Sequence, residues 1–145
     1  MAYGRRMTWD DVVTLIRDTP PAHLATVDAT GHPHVSVIGV GVDGPILWFA
    51  TRPTSGKARN LAAEPRLALM VAGNGAETYV KGTADLVDDL AEKQRLWTSG
   101  ILPYDPTAFF GPPETADVVL VRVTPTSAVA MVRGDEGPQR RRWSA

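Results

Sequence analysis

The chain contains no cysteine. That excludes disulfides and zinc–thiolate centres and leaves nothing that a reducing compartment would penalise, so a cytoplasmic location is expected. Charge is scarce and nearly balanced, with 21% charged residues and a formal net charge of −1. A nucleic-acid surface announces itself as a basic patch. The one basic run, Gln139-Arg140-Arg141-Arg142-Trp143, follows Gly134-Asp135-Glu136-Gly137-Pro138 and reads as part of a loose tail over 134–145. Apolar runs are short as well, none nearing the ~20 residues that span a bilayer. Arg5-Arg6 is followed by Thr8-Trp9-Asp10-Asp11 rather than an apolar stretch, so a twin-arginine export signal is not expected. Neither a nucleic-acid nor a membrane partner is expected.

Familiar catalytic signatures are missing too. No serine sits in a nucleophile-elbow sequence. No Walker loop or dinucleotide fingerprint occurs, and Gly73-Asn74-Gly75 is a hairpin turn. Asp88-Asp89 is explained by capping at a helix start. His32 and His34 would share one face of a strand, but a metal site needs several ligands at fixed spacing, and Gly31-His32-Pro33 reads more simply as a turn.

What is present suits a single small domain. At 145 residues and 43% hydrophobic, the chain can bury about two-thirds of its unfolded surface. Residues 1–133 read as one domain. Thr8-Trp9-Asp10-Asp11 opens a helix whose apolar face is Val12, Leu15 and Ile16, stopped by Pro20-Pro21. Strands are expected over 22–28, 35–42, 46–50, 66–72, 77–87, 118–123 and 128–132, with a helix from Asp88-Asp89 to Trp97 and an irregular stretch over 99–115. Many short strands with turn signals and few helices indicate a mainly β, antiparallel barrel. Gly39 and Gly41 weaken their strand. They admit a planar ligand or a neighbouring backbone, or mark a barrel bend.

The densest information lies in 47–61. The apolar run Ile46 to Ala50 reads as a buried strand. It breaks at Thr51-Arg52-Pro53-Thr54-Ser55-Gly56, where Ser55 can cap a following helix that opens on Gly56-Lys57-Ala58-Arg59. Arg52, Lys57 and Arg59 thus surround a helix N-terminus that is already the positive end of the dipole. Such a place is either a phosphate seat or a solvated first turn.

Phe49-x-Thr51-x-x-x-Ser55-x-Lys57-Ala58-x-x-Leu61, followed by Glu64-Pro65-Arg66-Leu67, resembles the flavin-phosphate segment of the pyridoxamine-phosphate-oxidase-like superfamily. His23 to Val27 with Gly31 to Ser36 is similar to that family's opening hairpin, and Val80-Lys81-Gly82-Thr83-Ala84 to its later strand. The resemblance extends from Thr8 to Val132 and implies an FMN-binding split β-barrel of Greek-key type, with FMN, or F420 in some branches, at a homodimer interface. By position it implies that Ser36, Val37 and Ile38 line the flavin ring, that Ala50 and Thr51 lie near the ribityl and phosphate, and that Ser55, Gly56 and Lys57 seat the phosphate. Glu77 falls where the true oxidases place a ring-contacting glutamine, and His34 falls near the ring.

Two departures stand out. Ser36 occupies the place of a phosphate-gripping arginine, so Arg52 or Arg59 is left to carry that charge. Glu77 brings a negative group that disfavours a reduced, anionic flavin unless it turns away. No counterpart of the pyridoxine-phosphate-holding arginine–histidine pair follows Val132. The expectation is therefore an FMN-binding oxidoreductase other than a true pyridoxamine-phosphate oxidase, acting on a small molecule. Trp97, Pro103-Tyr104-Asp105-Pro106 and Phe109-Phe110 resemble the general-stress branch, where aromatics either cover a flavin or form core. An F420-dependent reductase on the same fold is the alternative, and a flavin or haem carrier without turnover the second.

Overall fold

The computed structural model describes residues 5–145. Residues 1–4 of the expected domain lie outside them. In chain order the elements are β1 (Arg5–Arg6), α1 (Trp9–Ile16), β2 (Ala22–Val27), β3 (Pro33–Ile38), β4 (Gly41–Asp43), β5 (Ile46–Thr51), α2 (Gly56–Ala63), β6 (Arg66–Gly73), β7 (Ala76–Val87), α3 (Leu90–Thr98), α4 (Pro106–Phe110), β8 (Val119–Gly134) and β9 (Gly137–Ser144). The strands form one sheet in the order β1-β9-β8-β7-β6-β2-β3, with β4 and β5 attached through β8. All pairings are antiparallel except β1 with β9.

Two expectations about the C-terminal third are corrected. The strands expected over 118–123 and 128–132 are one strand, β8, of 16 residues. Pro125 is tolerated inside it because the β7–β8 register shifts between Lys81 and Gly82, where no regular ladder bond is lost. The 134–145 tail is not loose: β9 pairs with β8 from Ser127↔Ser144 to Gly134↔Gly137. Apolar alternation could not reveal it, because a strand reading Gln-Arg-Arg-Arg-Trp gains its order from backbone pairing rather than burial.

β8 changes partner along its length, bonding β5 over Val119–Val123 and β9 over Ser127–Gly134. β3 pairs only with β2 among the described strands, and β5 pairs with β4 and β8. The sheet therefore stays open between β3 and β5. β5 is apolar from Ile46 to Ala50 because both its faces are covered. Leu47 and Phe49 enter the barrel core with Leu24, Leu69, Val80 and Val121. Trp48 meets Leu96, Trp97, Leu102 and Leu120 beneath α3.

The β6–β7 turn shows how local chemistry fixes placement. Asn74 and Gly75 both have positive φ, 55° and 73°, the pair of values a tight hairpin turn requires. The Asn74 side-chain amide then donates to the carbonyls of Thr14, Leu15 and Arg17, closing the C-terminal end of α1.

Candidate functional site

The opening between β3 and β5 is a cleft of about 680 Å³. Val37, Ile38 and Gly39 form its β3 side, Ala50 and Thr51 its β5 side, and Lys57 of α2 projects into it. Tyr104, Phe109 and Phe110 face them, and the turn Arg17–Pro21 supplies the remaining wall. Lys57 makes one end cationic, the β3, β5 and aromatic walls are largely apolar, and Arg17 and Asp18 put one charge of each sign on the turn wall.

The cationic end is built from the β5–α2 junction. Ser55 caps α2 with its Oγ accepting from the Ala58 N–H at 3.1 Å. The same oxygen accepts from the buried Thr51 hydroxyl at 3.0 Å, which ties the cap to the end of β5. Ser55 donates its own hydroxyl proton to no described residue, and the N–H groups of Gly56 and Lys57 have no acceptor there either. These are the orphan donors of a helix start. No acidic side chain lies in the first turn. The helix is anchored instead by Asn60, buried and donating to Thr26 Oγ1 at 3.0 Å, and by Leu61.

Arg52, Arg59 and Glu77 are placed outside the cleft lining, as are Ser36, Ser55, Gly56 and His34. Arg52 is exposed with its guanidinium 6.0 Å from the centre of the Phe110 ring. Arg59 is exposed at the end of the first turn of α2. Glu77 sits on β7 and accepts from Arg133 Nη2 at 2.6 Å, so its charge is matched within the chain. Ser36 is on β3 with its Oγ sealed from solvent and without a hydrogen-bond partner. His32 belongs to the β2–β3 turn, where its N–H bonds the Asp28 carboxylate, while His34 stands on β3 against Gly56. Among the described residues no three His, Cys, Asp or Glu side chains are grouped to hold a metal.

The aromatic wall is set by Gly39 and Gly41. A Cβ on Gly39 would stand 2.9 Å from Tyr104 Cδ1, and one on Gly41 would meet the Ile101 carbonyl oxygen. Of the readings open for these glycines, the structure shows the close approach of a neighbouring backbone and ring. Tyr104 meets Phe109 edge to face at 5.0 Å. Burial pushes the Tyr104 phenol up to about 12, keeping it neutral. Phe109 is 68% exposed at the cleft mouth, unusual for so large an apolar group. The Arg17–Pro21 wall was not foreseen, and its only trace in the sequence is Pro20-Pro21, which turns the chain back after α1.

Residues 8–131 match the sequence profile of the family described as pyridoxamine 5'-phosphate oxidase. A pyridoxine/pyridoxamine 5'-phosphate oxidase of Pseudomonas paraeruginosa is 41% identical over 68 residues, a stretch covering 44% of this chain and 32% of that protein. The match thus spans about a third of the length of that relative. Among solved structures, General Stress Protein 26 of Bacillus anthracis superposes with a TM-score of 0.71 at 19% identity, over 90% of this chain and 95% of that one. A structure described as an F420 reductase gives 0.63 at 28% identity, over 80% and 94%.

Proposed function

Because the chain belongs to the pyridoxamine 5'-phosphate oxidase family, we propose that it is a flavin-dependent oxidoreductase that seats FMN in the β3–β5 cleft, works as a homodimer in the cytoplasm and acts on a small molecule. The observation that carries this reading is the placement of Lys57, on the uncapped first turn of α2, in a cleft whose β3, β5 and aromatic walls are largely apolar. A phosphate fits the first part and a planar ring the second. When bound, FMN supplies the hydride chemistry.

The chain's own residues do the rest. Ser55, Gly56 and Lys57 hold the phosphate, Ala50 and Thr51 flank the chain leading to it, and Val37 with Ile38 lies along the ring. Tyr104, held neutral, and Phe109 exclude water from the opposite side. The dimer is argued from the outward face of the sheet. Val35 and Val37 are 66% and 61% exposed on β3, and Tyr79 is 47% exposed on β7. Register links Val37 through His23 and Met70 to Tyr79 and Val129, a row across five strands that is apolar or aromatic except at His23. Glu77 lies beside that row, so a second copy on this face brings it toward the neighbouring cleft.

The 28% identity to an F420 reductase favours a second reading, F420 in the same cleft. Absorbance and fluorescence titrations with FMN and F420 in parallel separate the two. Saturable FMN binding by a dimer in light scattering is expected. Preference for F420 moves the protein to the deazaflavin reading, binding of neither overturns both, and cofactor that no substrate reoxidises leaves a carrier.

A further inference from the structure

We propose that His34, rather than Arg52 or Arg59, is the second side chain that grips the cofactor phosphate, a proposal that rests on the phosphate seat described above. A phosphate monoester carries about −1.5 to −2 charge at neutral pH. Of the basic residues at the β5–α2 junction, Lys57 alone lines the cleft. Arg52 is turned onto Phe110, and Arg59 is exposed two residues beyond Lys57. Arg17 lines the cleft on its turn wall, so at the junction itself part of that charge is left for another donor.

His34 is in place to supply it. Its Nε2 lies 3.6 Å from where a Cβ on Gly56 would stand, and its Cε1 3.9 Å, so the imidazole edge faces the first turn of α2. Neither ring nitrogen has a hydrogen-bond partner among the described residues. Ser36, two residues along β3 and on the same face, adds an Oγ that is sealed from solvent and unpartnered. Donors therefore converge from both sides: Ser55, Gly56 and Lys57 from α2, His34 from β3. The arrangement moves His34 from beside the ring, its expected place, to the opposite end of the cofactor.

FMN and riboflavin, which differ only in the phosphate, provide the test. His34→Ala and His34→Gln are titrated with both, alongside the wild type and Lys57→Ala. His34→Ala weakens FMN by about tenfold, the loss of one charge-assisted hydrogen bond, and leaves riboflavin unchanged. His34→Gln, whose side-chain amide can still donate, recovers part of the loss. Equal weakening of both ligands places His34 at the ring or in a structural role and overturns the proposal, as does no change in either. If the wild type does not favour FMN over riboflavin, or Lys57→Ala keeps that preference, the phosphate seat itself fails, whatever His34 does.

Discussion

α1 and α2 are each eight residues long and each starts on a hydroxyl cap, yet their first turns are opposites. In α1 the Thr8 cap and Asp11 satisfy each other's backbone N–H, and Asp10 with Asp11 neutralises the positive end of the dipole. α2 has the Ser55 cap but no acid in its first turn, and Lys57 and Arg59 where acids would be favourable. One helix start is complete in itself. The other is stable only because Leu61 and the Asn60–Thr26 bond hold it, and it leaves donors and positive potential directed at the cleft. A cap with acids uses the N–H groups of a helix start for local stability, and in α2 those of Gly56 and Lys57 are left without an acceptor among the described residues.

The sharpest way to break the contrast is to give α2 the charge pattern of α1. Lys57→Glu is expected to weaken FMN by about a hundredfold or more, since a favourable charge-assisted bond becomes a repulsion. The same change raises the melting temperature of the cofactor-free protein, because an acid in the first turn contributes about 0.3–1 kcal/mol. Titration and thermal melts on one variant should show the two signs; a fall in both would mean Lys57 has a structural role instead. Lys57→Ala removes the charge without reversing it and should cost at least about tenfold in FMN affinity.

Ser55→Ala takes the cap from α2 and the acceptor from the Thr51 hydroxyl. Chemical denaturation should show a loss of about 1 kcal/mol, together with weaker FMN binding. Thr8→Ala is expected to cost a similar ~1 kcal/mol in α1 while leaving FMN affinity as it was. Any drop in affinity there would show that the two helices are coupled.

The smallest effect is in pH. The Asp11 carboxyl is held below its usual value first by the Thr8 N–H and then by the Thr8 hydroxyl. A lowered folded value means the stabilisation is complete above the ordinary carboxylate range and disappears as pH falls through the folded value. The small difference in melting temperature between wild type and Asp11→Asn should therefore be present at neutral pH and vanish in acid.

Both helix starts could be read from the sequence, because a hydroxyl cap and its charges are local features. The strands of the barrel were legible for a similar reason, through Leu24, Leu47, Phe49 and Val80 on the inward face. β9 was hidden because its order comes from pairing with β8 across the chain, in a segment whose arginines gave no burial signal. The site divides in the same way. Val37, Thr51 and Lys57, chosen from the sequence, line one cleft. The contact of His34 with Gly56 depends on how α2 folds back on β3, and no spacing between residues 34 and 56 encodes that.

The contact of Gly39 and Gly41 with Tyr104 and Ile101 has a consequence for descent and design. At Gly39 the wall meets backbone with the Tyr104 ring and at Gly41 with the Ile101 carbonyl, so any side chain at either position pushes the wall outward. Leu102 ties the same segment into the core beneath α3. Exchanging the exposed Phe109 would therefore recast what the cleft admits while the core contacts of the segment and the β5–α2 junction are inherited intact.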